Sequence, residues 1–476
     1  MMKIAFFCRS RLTQLYGELN RHLADDFSCV YVAYEEEDTN LLKKSYSVDA
    51  DINFKEYIYK KIEFAKKIDI NEIDHFIIKW SSNRFNLNSV IQSDRALCNL
   101  GQQDSYIMIK LYYIFWKEFF DTHKDISVFF HETTSLALNF IASLFCTKNN
   151  VIYTDMVGVP NYEPSFMFIS SSVGESKDFE RKEAPDISVI EKFDEYIAHR
   201  YKSIANLSID TSLSTSIKIV LKNSIKRLLN RFTKKIDRVL DCVEWFMLHD
   251  KRYANKIKNF FLYKTIKWDE IEVTDSYYYY SMNLEPEAVI QYLADGYYSN
   301  QVKLIENIAA QLPPNTYLYV KDHVVEYGYR NYKDYKYLQS LHNVKVINPR
   351  IRGSQLIKNC KAVISICGTA ILEAHFFNKC SYMFGNFYYE RSKNVIKIQN
   401  IKDFRKVVYS EPSFNTADKK EFIDCFLASL NPGAPDYFTG GNIDGLKHEE
   451  FSQNIVKISE AIKKYTIKNC DKREVF

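Results

Sequence analysis

Lys361-Ala362-Val363-Ile364-Ser365-Ile366-Cys367-Gly368-Thr369-Ala370-Ile371-Leu372-Glu373-Ala374 holds an apolar run, a Gly-Thr pair and a second apolar pattern at helical spacing. Residues 362–366 read as a buried strand and residues 371–377 as a helix that starts as soon as the strand ends. A strand passing through glycine directly into a helix suits a phosphate: the backbone approaches closely and free amides face the ligand. Gly368 gives that approach. Thr369 is a candidate cap and ligand donor, and Ala370 completes the turn. Glu373 lies four residues after Thr369, one too many for a capping box, which leaves its carboxylate for ribose hydroxyls. The competing reading is a plain strand–turn–helix with an exposed glutamate.

Working outward, the same alternation recurs on both sides. Residues 276–281, 317–321, 344–347 and 381–384 read as strands, and 301–311 and 354–359 as helices, which makes a Rossmann-like domain. Nearer the start, residues 3–8, 28–33, 75–79, 126–130 and 151–154 read as strands, with helices at 12–23, 107–120 and up to Cys146. Between the two lies a stretch of another kind. Val220, Leu221, Ile225, Leu228, Leu229, Phe232, Ile236, Val239 and Leu240 recur at three and four residues, and Lys222, Lys226, Arg227, Arg231, Lys234, Lys235 and Arg238 fill the other face. The fold class is therefore α/β, with two Rossmann-like domains. Residues 1–173 form the first, 174–270 a basic helical insert, 271–450 the second, and 451–476 a closing helix and tail.

Composition narrows the classes. The 476 residues exceed one ordinary core, and 26% charged with few Gly and Pro excludes extensive disorder. The net charge of +4 conceals fourteen Lys or Arg against four Asp or Glu in residues 217–267, a local +10. Such a segment suits an anionic membrane surface or equally a core-packed helix with a solvated basic face. A nucleic-acid stripe is the third option, and no nucleic acid is expected as a partner. No cysteine pair has C-x-x-C spacing, so no metal site is expected. No apolar stretch reaches about 18 residues, and the N-terminus is too short in apolar residues for a signal peptide. A cytoplasmic protein follows, peripheral to the inner face of the cell membrane if the basic helix binds lipid.

Polar residues just after strands are the candidate chemistry. Lys321-Asp322-His323 closes one strand: His323 suits a phosphate oxygen or a leaving group, and Lys321 adds positive charge. Asn283-Leu284-Glu285-Pro286-Glu287 follows another, and Glu287 suits a sugar or base, or the first turn of a helix. In the first domain His131 and Glu132 follow residue 130 as candidate bases for an acceptor hydroxyl, with Asp94-Arg95 as a second polar cluster and Asp155 after a further strand. Capping and ordinary loop polarity explain each of these equally well.

Taken in order, Ser93-Asp94-Arg95, Pro286-Glu287-Ala288, Leu312-Pro313, Val320-Lys321-Asp322-His323, Gly328-Tyr329-Arg330, Gly368-Thr369-Ala370-Ile371-Leu372-Glu373-Ala374, Asn378-Lys379 and Phe384-Gly385 resemble the capsule polysaccharide biosynthesis and export family, which includes Kdo transferases. The resemblance is clear over residues 277–389. It departs from the family pattern at Val324, where proline is usual, and at Asp322, where glutamate is usual. It implies a two-domain, metal-independent GT-B glycosyltransferase without a cofactor. The nucleotide sugar, CMP-Kdo-like by preference, would meet His323, Lys321, Gly368, Thr369, Ala370, Glu373, Glu287 and Arg330, and a glycan or lipid-linked acceptor would meet Glu132, His131 and Asp94. A polyol-phosphate transferase, a nucleotide-sugar epimerase and a non-catalytic scaffold are the alternatives.

Overall fold

The structure, a computed structural model, describes residues 1–159, 164–169, 176, 213–233, 235–294, 298, 300–435, 438 and 448–471. The chain forms two compact units, Met1–Arg181 with Cys425–Phe476, and Lys182–Asp424.

The first unit is built on β1 (Met2–Cys8), β2 (Phe27–Ala33), β3 (Ile52–Asn53), β4 (Ile126–Phe130), β5 (Ile152–Val159), β6 (Ser165–Ile169) and β13 (Asn431–Pro432). Their order is β13-β6-β5-β4-β1-β2-β3. β3 through β5 run parallel, whereas β6 and β13 are antiparallel additions at one edge. The order 3-2-1-4-5 in the parallel part is the doubly wound arrangement, with its switch point between β1 and β4. Helix α1 (Arg11–Leu23) buries Leu12, Leu15, Tyr16, Leu19 and Leu23, spaced by three and four. Helices α2 (Glu36–Tyr46), α3 (Phe54–Ala65), α4 (Ile70–Trp80), α5 (Leu87–Ser93), α6 (Gln102–Thr122) and α7 (Ala137–Lys148) complete the layers. Trp116 of α6 is fully buried and donates its indole N–H to Leu138 O at 2.9 Å.

Three expectations are corrected here. Residues 75–79 are not a strand but lie within α4. Asp69 caps that helix by accepting the Asn71 N–H, and Ile73, Phe76 and Ile77 are buried at helical spacing. A five-residue apolar run carries too little periodicity to separate the two forms. Second, the expected C-terminal domain 271–450 ends at residue 424. Beyond it, Asn431 pairs with Phe166, and the helix His448–Asp471 sets Ile455, Ile458, Ala461, Ile462 and Tyr465 into one core with Leu12, Leu15 and Leu19. Third, the helices of the basic segment belong to the second unit. Asn259 Nδ2 donates to Gly328 O and Arg330 O, and the Tyr263 hydroxyl to Arg330 O. The remainder of the insert, residues 174–212 apart from Ser176 together with Lys234, lies outside the described residues.

Ile458 is completely buried in the first unit's core. Ile458→Ala is expected to destabilise that unit by about 2–5 kcal/mol, which thermal or urea unfolding would register.

The second unit carries β7 (Tyr277–Ser281), β8 (Tyr317–Lys321), β9 (Val344–Ile347), β10 (Val363–Ser365), β11 (Ser381–Met383) and β12 (Val395–Lys397). All are parallel in the order β12-β11-β10-β7-β8-β9, the Rossmann order with its switch point between β7 and β10. β7 reads Tyr-Tyr-Tyr-Tyr-Ser, with all four tyrosines buried and Tyr277 stacked on Tyr319 at 4.0 Å. A strand covered on both faces takes such a continuous run, because helices lie above and below it.

Candidate functional site

Ligands of open parallel sheets sit beyond the carboxyl ends of the strands at the switch point. In the first unit that position is a cavity of about 580 Å³ lined by Arg9, Ser10, Arg11, Tyr16, Glu132, Thr133 and Asp155 among others. Arg9 and Ser10 follow β1. Ser10 adopts φ 55°, a left-handed conformation uncommon for a side-chain-bearing residue, and its N–H donates to Asp38 Oδ1 at 2.8 Å. The Thr13 hydroxyl donates to the same oxygen, so α2 clamps the turn that presents Arg9.

Glu132 forms an ion pair with Arg9 and accepts from Asn139 Nδ2 at 3.0 Å. Burial pushes its pKa up, but Arg9, His131 and Asn139 together hold the carboxyl below its usual range. It is therefore ionised and paired. Asp155, half-buried at the end of the parallel part of β5, behaves oppositely. Burial raises it to about 7 against the opposing Thr133 hydroxyl and Met156 N–H. Two carboxyl groups in one cavity thus differ in protonation near neutrality, the pattern by which sites assign acid–base roles.

His131 is placed differently from its expected catalytic position. It is fully buried and stacked on Phe7 at 4.3 Å, and burial lowers its pKa to about 3. Its Nδ1 accepts from the Glu132 N–H at 2.8 Å and from Asn139 Nδ2 at 2.9 Å, which leaves the ring proton on Nε2. The ring positions Asn139 and, through it, Glu132. Asp94 is likewise placed away from the cavity. It is buried, with Oδ1 accepting from the Ala96 and Leu97 N–H groups and Oδ2 from the Ala137 N–H at 2.6 Å. It ties the start of α7 to the loop after α5. Arg9 was missed in the sequence reading. Its position directly after the first strand was the available signal.

In the second unit the ends of β7, β8 and β10 gather Asn283, Lys321, His323, Ser365 and Gly368. His323 is exposed, and its Nδ1 accepts the Val325 N–H at 3.3 Å, leaving Nε2 to face outward as a donor. Although the His323 ring reaches solvent, the protein atoms crowded around it desolvate it in part, and this together with the nearby Lys321 lowers its pKa; burial lowers that of Lys321, which senses Asp322 and Glu373 electrostatically. A Cβ on Gly368 would lie 3.0 Å from Ser365 Oγ and 3.2 Å from Asn283 Nδ2, so the turn is packed for glycine. Ala370 opens the helix Ala370–Phe376, and Thr369 precedes it without the side-chain capping bond expected of it. Glu373 is buried, and Glu287 is half-buried with its carboxyl raised to about 7 by burial.

Arg330 departs most from its expected place among donor-binding residues. Its guanidinium is buried and fully engaged: Nε to Asp322 at 2.6 Å, Nη1 to Glu285 at 2.7 Å and Nη2 to Asn283 O at 3.2 Å. Tyr335 adds a hydroxyl to Asp322, and Asp322 accepts the His323 N–H. Arg330 thus positions the strand-end loops that carry His323.

No protein-family model matches the chain, and no curated protein matches it. Solved structures with a similar trace include the β-Kdo 2,4 transferase KpsC of Thermosulfurimonas dismutans, at 12% identity and TM-score 0.34 over 66% of this chain and 84% of that one. They also include the spinosyn rhamnosyltransferase SpnG, at 8% identity and TM-score 0.27 over 90% and 97%. A third is the UDP-GlcNAc 2-epimerase of Methanocaldococcus jannaschii in complex with UDP-GlcNAc and UDP, at 11% identity and TM-score 0.26 over 90% and 99%. A Kdo transferase, the enzyme type that the sequence motifs resemble, thus stands beside epimerases among the similar structures, and at these scores none assigns an activity to this chain.

Proposed function

We propose that the chain transfers a sugar from a nucleotide-activated donor, CMP-Kdo-like by preference, to a hydroxyl of a glycan or lipid-linked acceptor in bacterial surface-polysaccharide synthesis. The observation that carries this reading is Asp155, a carboxyl poised near neutrality in the switch-point cavity beside an ionised Glu132–Arg9 pair. A base of that pKa accepts the acceptor hydroxyl's proton as its oxygen bonds to the anomeric carbon. The bond from that carbon to the donor phosphate breaks, and the nucleotide leaves with the electron pair. Arg9 and Glu132 orient the acceptor. Within the second unit, His323 Nε2–H and Lys321 are the groups assigned to the donor phosphate and Glu373 the group assigned to the ribose hydroxyls. This assignment moves the base from Glu132 to Asp155, because a carboxylate already paired to arginine is a weak proton acceptor.

A thermal-shift panel of CMP, UDP, GDP and CDP tests the reading. A nucleotide at about a hundredfold its Kd stabilises the native state by about 2.7 kcal/mol. Selective stabilisation by CMP, lost in His323→Ala, is the expected result. Stabilisation by UDP instead moves the donor, and no response to any nucleotide moves the chain to the scaffold reading.

A further inference from the structure

The helix Leu213–Thr233 is inside out. It packs against the helices Arg252–Leu262 and Cys242–His249, yet its buried residues are Ser216 and Asn230. Ile217, Leu221, Ile225, Leu228 and Phe232 recur at three and four residues on the opposite side, and Leu221, Ile225, Leu228 and Phe232 are 57–78% exposed. Residues 213–233 contain no Asp or Glu. Lys218, Lys222 and Lys226, four apart, border one edge of the stripe, and Arg227 and Arg231, four apart, border the other.

Beyond the arginine edge lies a cavity of about 330 Å³ whose wall includes Arg227, Arg231, Arg238, Asp237, Trp245 and His249. Asp237 is its acid, and its Oδ1 accepts the Val239 and Leu240 N–H groups. Arg227 donates to Ser224 Oγ, and among the described residues none of the three arginines forms an ion pair with a carboxylate. His249 stacks on Trp245 at 4.2 Å and closes the far wall.

We infer that this helix lies in the interface of an anionic bilayer, with its apolar stripe immersed and the arginine cavity holding a lipid headgroup phosphate. The charge pattern selects this occupant. A large outward apolar face between two cationic borders matches acyl chains beneath anionic headgroups. A second copy would oppose like charges along both borders, and nucleic acid offers nothing to the stripe. Arginine edges lie where the phosphates of a bilayer lie when the stripe is submerged, and a guanidinium binds phosphate in bidentate fashion. No helix among the described residues is long and apolar enough to cross a membrane, so the contact is interfacial. The inference stands beside the transferase reading and does not depend on it.

Flotation of the full chain with phosphatidylcholine vesicles, with and without phosphatidylglycerol, tests it. The chain is expected to float with the anionic vesicles and to stay behind with the neutral ones. L228S/F232S changes only exposed positions and is expected to weaken partitioning by about tenfold or more. R231S/R238S is expected to weaken it by about fivefold per charge, from roughly 1 kcal/mol per basic residue at such a surface. No flotation, equal flotation with both vesicles, or unchanged flotation of L228S/F232S overturns the inference. So does a lipid-free dimer in sedimentation velocity that L228S/F232S dissociates, since a second copy then covers the stripe. The melting temperature and nucleotide response of both variants should match wild type, so failure at the membrane and failure of the transferase reading are told apart.

Discussion

Arg330→Met is expected to destabilise the second unit by about 3–5 kcal/mol, because the change leaves Asp322 buried and charged without its partner. Asp322 is wholly buried and Arg330 nearly so. One guanidinium joins the ends of β7 and β8 through Glu285, the Asn283 carbonyl and Asp322. The methionine replaces the side-chain volume but none of these hydrogen bonds. Urea unfolding gives the size of the loss. Nucleotide binding measured well below the transition separates two roles. If Arg330 positions the loops, affinity falls together with stability. If it touched the donor, affinity would fall in a variant that stays folded, and R330K would not restore it. The expected pattern is the first, with partial recovery of stability in R330K.

On the proposed transferase function, Asp155→Asn is expected to abolish most transfer; independently of it, the change is expected to make the protein more stable in mild alkali. Loss of a general base costs typically 10²–10⁴-fold in rate. The stability effect has the opposite sign. Burial raises the Asp155 pKa to about 7, whereas an unfolded aspartate titrates near about 3.9. Between those values the folded protein holds a proton that the unfolded chain has released, so this group's contribution to stability falls as pH rises, and above about 7 it is a standing cost. Asparagine removes the titration. The melting temperature of the variant should exceed that of wild type at pH 8 and differ little at low pH. In wild type the transfer rate should climb through pH 7 as Asp155 ionises. Full activity in D155N would remove it as the base and return the role to Glu132.

The parts of the fold legible in the sequence were those with long, consistent periodicity. The helix α1 and the strand-to-helix turn at Gly368 announce themselves through local spacing, and the parallel order follows from βα alternation. Residues 75–79 were misread because five apolar-rich residues fit either period. The return of residues 425–476 to the first unit was hidden, since the Asn431–Phe166 pairing spans most of the chain and leaves no local trace. The site divides the same way. Strand ends marked Glu132, Asp155, Lys321 and His323 as candidates, but which carboxyl is paired and which is poised depends on Arg9, far away in sequence. Asp94 looked equally polar, and only the amides of Ala96, Leu97 and Ala137 show that it is spoken for. The basic helix was legible as amphipathic, yet its apolar side could not be told from a core-facing one.

The helix His448–Asp471 completes a core begun by α1, and this sets an order in time. The second unit is continuous in the chain, whereas the first is split around it. At synthesis rates of about 5–20 residues per second, roughly 20 to 85 s pass between the emergence of Leu23 and that of the closing helix. Through that interval Leu12, Leu15 and Leu19 lack the side chains that finally cover them, and the second unit can already be folded. The first unit of the sequence is thus the last to be finished, and a nascent chain stopped anywhere before residue 448 carries an open apolar face at its front.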